Sequence, residues 1–143
     1  MKRPILLLFV VTQLFSCKKD SSSPSCKQDM AGIAGTYKVT AATYKVNSAA
    51  PEQDFYTNNL YLTACQKDDL TTLASNGSVT YTDAGTKCTP AGDRTSTWSL
   101  SGSTITIEGK AFTIQSYDCS SLVVTSASFL VAGDLLKVTF SRQ

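Results

Sequence analysis

Five cysteines, two adjacent aspartates and a complete lack of histidine are the chemically informative features of this 143-residue chain. Cys17 stands directly behind an apolar run, in the segment LFSCKKDSSSP, while Cys26, Cys65, Cys88 and Cys119 are spread through the rest. A thiol in the first position can carry an acyl group. Four in the second kind of position can form two bridges in an oxidising compartment. Without histidine the commonest general base and the commonest transition-metal ligand are missing, and no Cys-x-x-Cys pair replaces them. Asp68 and Asp69 suggest paired carboxylates, but neighbouring strand residues point to opposite faces, so the two cannot converge on one substrate; solvated surface charge is the better account. No serine lies in a Gly-x-Ser-x-Gly turn, and no Asp-x-Asp-x-Asp loop is present for calcium. The expectation is therefore a protein with no catalytic residue, no metal ligand and no cofactor.

Lys2 and Arg3 followed by the apolar stretch from Ile5 to Phe15 give residues 1–16 the layout of an export signal. The stretch is shorter than the ~20 apolar residues that cross a bilayer, so removal is expected rather than retention. Leu14-Phe15-Ser16-Cys17 resembles the bacterial lipobox, which implies a diacylglycerol on Cys17 and cleavage in front of it. Residues 17–34 then read as a lipidated cysteine with a flexible Ser-rich tether, and residues 35–143 as one domain. Lys18 rather than Asp after the lipidated position implies, by resemblance to Gram-negative sorting rules, an outer-membrane lipoprotein of the cell envelope, facing the periplasm or the surface. Loss of Lys2 and Arg3 leaves eleven basic residues against eleven acidic ones, and no basic footprint for nucleic acid remains.

What positions these residues is a series of short strands. From Gly35 onward, apolar residues recur with period two, interrupted by Gly, Asn, Ser and Asp, which is an all-β signal. Eight strands are predicted, at 36–44, 69–75, 78–82, 96–101, 104–108, 111–117, 121–129 and 135–141, with Asn76-Gly77 read as a type I′ hairpin turn. Alternation gathers Tyr37, Val39, Ala41 and Leu73, then Val79, Tyr81, Trp98 and Leu100, on one face. The later strands add Ile105, Ile107, Phe112, Ile114, Leu122 and Val124, and the last Leu136, Val138 and Phe140. A meander of this kind hides its apolar face by closing into a barrel or by packing as two sheets.

The ordered set Gly35-Thr36-Tyr37, Cys65 to Asp69, Ser75 to Val79, Cys88, Thr97 to Leu100 and Ser103 to Ile107 resembles the bacterial lipocalin-like domain, a family of small lipidated proteins, over about residues 35–142. The resemblance implies an eight-stranded up-and-down antiparallel lipocalin-like barrel. It also implies that Arg142 packs against Tyr37, where lipocalins more often have Trp, at the end where the first strand begins.

In an up-and-down barrel, successive connections alternate between the two ends. That puts Cys65 and Cys88 at one end and Cys26 and Cys119 at the other, so the expected bridges are Cys65–Cys88 and Cys26–Cys119; free buried thiols are the alternative. The long connections 45–68 and 83–95 share the first of those ends, and lipocalins use such a first loop as a lid. A binding site is expected there, formed by Phe55, Tyr56, Tyr61, Tyr81 and Trp98 with Arg94 as a polar contact; plugging of a small barrel by the same aromatics is the plainer reading. Two functions remain open: a membrane-anchored carrier or sensor for a small hydrophobic or amphipathic ligand at the barrel mouth, or a filled barrel serving as a protein-binding envelope module or periplasmic inhibitor. The chain is expected to act as a monomer held at a membrane through Cys17.

Overall fold

The computed structural model describes residues 26–143. The expected signal 1–16 and the lipid attachment at Cys17 lie outside these residues. A one-turn helix α1 (Met30–Ile33) leads into nine strands: β1 (Gly35–Lys45), β2 (Gln53–Asp54), β3 (Leu70–Leu73), β4 (Ser78–Thr82), β5 (Arg94–Ser101), β6 (Thr104–Ile107), β7 (Lys110–Tyr117), β8 (Ser121–Ala127) and β9 (Leu135–Arg142). All pairings are antiparallel and the order is β2-β1-β3-β4-β5-β6-β7-β8-β9, with β9 also paired to β1.

This architecture corrects the expectation of an eight-stranded up-and-down barrel: the protein is a nine-stranded antiparallel sheet that does not close into a complete barrel wall. β9 follows β1 from Tyr37↔Arg142 to Lys45↔Leu135. On its other edge β1 pairs with β3 only through Gly35, Thr36 and Tyr37. Farther along, that edge meets the two-residue β2 at Thr43 and Tyr44, so between Tyr37 and Thr43 the seam has no strand across it. The physical cause is the length of β3: four residues are too few to accompany an eleven-residue β1.

A second departure is local. The β1–β9 register shifts between Val39 and Ala41, a β-bulge that inserts Thr40 and exchanges the two faces beyond it. Ala42 and Tyr44 therefore point inward in place of Ala41, and both are buried. Tyr44 donates its hydroxyl to Asp134 at 2.9 Å, and the Asp134 carboxylate also accepts from the backbone amides of Phe129, Leu130 and Val131. The β3–β4 hairpin differs from the expected type I′ turn as well. Gly77 alone has positive φ, the Gly77 amide donates to Ala74 at 3.0 Å, and Ala74 donates to Ser78.

The interior is filled at the end where β1 begins. Ile33 of α1 is fully buried there with Tyr37, Leu73, Val79, Trp98 and Ile105. Arg142 closes this end. Its guanidinium lies 5.6 Å from the Tyr37 ring centroid and donates to the carbonyls of Gly32, Ala34 and Cys119 and to the Tyr117 hydroxyl. Gly35 is required by this packing, since a Cβ there would lie 2.5 Å from Arg142 Nε. The Tyr37 hydroxyl donates to Ile33 O at 2.6 Å. Cys26 is bridged to Cys119 at the same end, with a Cα separation of 5.4 Å.

Arg142→Leu strands three carbonyls and should lower the unfolding free energy by on the order of 3 kcal/mol in urea titrations, whereas Arg142→Lys restores only part of it because one ammonium cannot match the guanidinium fork. For Asp134, burial pushes the carboxyl up, but the three amides and Tyr44 outweigh it and hold the group below the ordinary 3.8. A lowered folded pKa contributes stability that is present above the unfolded value and lost as pH falls through the folded one. Urea midpoints followed from about pH 5 to about pH 2 should thus fall less steeply for Asp134→Asn than for the parent, and the variant should be the weaker of the two at neutral pH.

Candidate functional site

Opposite the Arg142 end the inward side chains do not fill the sheet, and a hollow of ≈ 240 Å³ remains. Its floor is apolar apart from the Thr71 hydroxyl: Val39, Thr71, Ile107, Phe112 and Phe140 come from β1, β3, β6, β7 and β9. Its collar is aromatic and charged. Tyr81 and Arg94 are paired residues at the ends of β4 and β5, Glu108 and Lys110 flank the β6–β7 turn, and Asp69 stands just before β3. Tyr61, Leu62 and Gln66 from the β1–β3 connection, together with Phe129 from the β8–β9 connection, reach over the opening.

The collar charges are not equivalent. Arg94 is held in a two-pronged contact with Glu108, at 3.1 Å from Nε and 3.4 Å from the terminal nitrogen, and its guanidinium lies 3.7 Å from the Tyr81 ring centroid. The hydrogen bond to Glu108 pushes the arginine pKa further up. Tyr81 is pushed up to about 12, chiefly by burial and then by Glu108. Burial likewise raises Tyr61, whose ring lies 6.3 Å from that of Phe129. Lys110 makes no ion pair with any described residue, and its ammonium sits 5.2 Å from the Phe129 ring centroid.

The two long connections are fastened to each other. Cys65, in a 3-10 turn (Ala64–Gln66), is bridged to Cys88 with a Cα separation of 5.4 Å. Asp68 and Asp69, read from sequence as solvated surface charge, instead accept backbone amides of the β4–β5 connection, from Thr86 at 2.8 Å and Ala84 at 3.1 Å. That connection is folded around the buried Asp83 carboxylate, which accepts from Cys88 N and Gly92 N. Asp69, Asp83 and Cys88 bring potential ligand atoms within 4.8 Å of one another. The sulfur is committed to its bridge and Asp83 to backbone amides, so the group is accounted for as loop structure.

Of the residues expected at the mouth, Tyr61, Tyr81 and Arg94 line the hollow. Phe55, Tyr56 and Trp98 do not. Phe55 is buried against Tyr44, with ring centroids 4.4 Å apart, and its amide donates to Ala42 O. Tyr56 faces Lys67, whose ammonium is 4.7 Å from its ring centroid. Trp98 lies in the filled part, donating its indole N–H to Ala74 O at 2.8 Å. The expected barrel mouth is thereby corrected: the opening belongs to an unclosed sheet, and charged side chains join the aromatic ones around it. Glu108, Lys110 and Phe129 went unrecognised in the sequence, where Glu108 and Phe129 close predicted strands and Lys110 belongs to the turn between two of them. The alternation of connections that collects the long loops at this end puts the β6–β7 and β8–β9 turns there too, and was the signal available.

A sheet wrapped around a core that is solid at one end and hollow at the other is the architecture of a small lipocalin-like domain. The chain belongs to that family: the family model described as lipocalin-like domain matches residues 33–140. Neither the curated proteins nor the solved structures contain a match to the chain.

The Cys65–Cys88 bridge closes a loop with a sequence separation of 23. Replacing both cysteines by Ser should lower stability by about 3 kcal/mol and make residues 46–69 the first site of limited proteolysis, read by mass spectrometry of the early fragments.

Proposed function

We propose that this lipocalin-like domain is a non-catalytic binding protein that takes one compact molecule into the cup beneath the β1–β3 connection. The observation that carries the reading is the division of the interior: the end at Arg142 is packed solid, while the other end keeps a hollow whose floor is apolar and whose collar is polar. At ≈ 240 Å³ the hollow is smaller than the roughly 300–1,000 Å³ typical of sites for drug-sized ligands, so its occupant is small. The lining offers no nucleophile and base in contact. Its carboxylates and guanidinium are occupied with one another or with backbone amides, which suits recognition and positioning.

An extracytoplasmic, oxidising location belongs to the same proposal and is supported by the two internal disulfides. Acyl attachment at Cys17 rests on the sequence segment alone. It is tested separately by the mass of the mature N-terminal peptide.

Ile107→Trp places an indole in the floor of the cup. Titration with a neutral fluorescent aromatic probe should show saturable binding to the parent protein and a loss of at least tenfold in affinity for the variant, with the two far-ultraviolet circular dichroism spectra superimposing. Equal binding by a correctly folded variant would place the probe elsewhere and remove the cup from the proposal.

A further inference from the structure

Two charges of the collar have no ion-pair partner among the described residues: Lys110, and Asp69, whose carboxylate accepts a single backbone amide, from Ala84. Lys110 is the first residue of β7, and Asp69 directly precedes β3. Between those strands lie β4, β5 and β6 in one direction and β8, β9 and β1 in the other, so the two residues stand on opposite sides of the hollow that both line. Arg94 and Glu108, between them on one side, neutralise each other. Among the described residues, Lys110 has only the face of Phe129 as a partner. The surroundings of Asp69 are acidic: after burial, the carboxylates of Asp83, Asp68 and Asp93 push its pKa up against the Ala84 amide.

We infer that the cup takes a compact zwitterion, an amino-acid-like molecule with an aromatic or aliphatic body, whose carboxylate turns to Lys110 and whose ammonium turns to Asp69. This rests on the cup being the binding site at all. A ligand bearing only an anion would satisfy Lys110 but leave the acidic wall without a counter-charge. A ligand bearing only a cation would meet Lys110 as a like charge, and two of the ring faces that could receive it, on Tyr81 and Phe129, already carry Arg94 and Lys110. A dipolar molecule satisfies both walls at once, and its body is left to Ile107, Phe112 and Phe140 on the floor.

Isothermal titration of the mature protein with four probes of one shape tests the assignment: phenylalanine, 3-phenylpropionate, phenethylamine and the uncharged propylbenzene. The zwitterion should bind roughly two- to fivefold more tightly than either singly charged analogue, the range expected for partly exposed charge pairs. Lys110→Met should remove the advantage of phenylalanine over phenethylamine, and Asp69→Asn its advantage over 3-phenylpropionate; Lys110→Arg should retain most of the first. A singly charged analogue that binds as well as phenylalanine overturns the inference. If propylbenzene binds and phenylalanine binds no better, the charge assignment fails and the cup survives as a binding site. If none of the four binds, both the inference and the proposed function fail.

Discussion

β1 is shared among three neighbours, and the way its hydrogen bonds are divided determines the shape of the molecule. One edge belongs wholly to β9. The other is given to β3 for three residues, then to no strand, then to β2 for two. Because β9 fixes the inward face along the whole of β1, the side chains of both strands meet inside: Tyr37 with Arg142, Val39 with Phe140, Ala42 with Val138 and Tyr44 with Leu136. Because β3 releases β1 early, the wall parts on the other side, and the β1–β3 connection comes over the gap in place of a strand. Phe55 and Tyr56 both donate their amides to Ala42 O, so part of the exposed edge is satisfied by a turn.

The filled and hollow ends treat charge differently. At the filled end a single guanidinium meets carbonyl oxygens and a phenol, all of which accept hydrogen bonds without carrying charge. Such an arrangement fixes geometry and leaves nothing over for a ligand. At the hollow end cations and carboxylates are interleaved with aromatic rings, and their pairing is incomplete. Rigid support for that collar comes from behind it, where the Cys65–Cys88 bridge and the Asp68 and Asp69 contacts lock the two long connections together. A preorganised collar of this kind loses little freedom on binding, which favours affinity for a small occupant.

Much of the sheet was legible in the chain because alternation survives wherever a strand is regular. Val79, Ile105, Leu122, Val124, Leu136 and Val138 were assigned to the inward face from period two alone, and each is buried. Alternation fails where the count is broken. The bulge at Thr40 has no compositional mark, so the inward turn of Ala42 and Tyr44, and with it the buried contact to Asp134, could not be read from spacing. The closed barrel was overcalled for a related reason: the pattern shows which residues turn inward but is silent on how far two strands stay paired. At the site, aromatic composition was a poor guide, since a ring serves equally in a core. Phe55 and Trp98 took that role, whereas Lys110, at the start of β7, and Phe129, in the β8–β9 connection, lie at the opening.

The bridge between Cys26 and Cys119 anchors the first described residue to the β7–β8 connection, at the end sealed by Arg142. A pull applied at Cys26 is therefore delivered through sulfur to the best-packed region instead of to the loops around the rim.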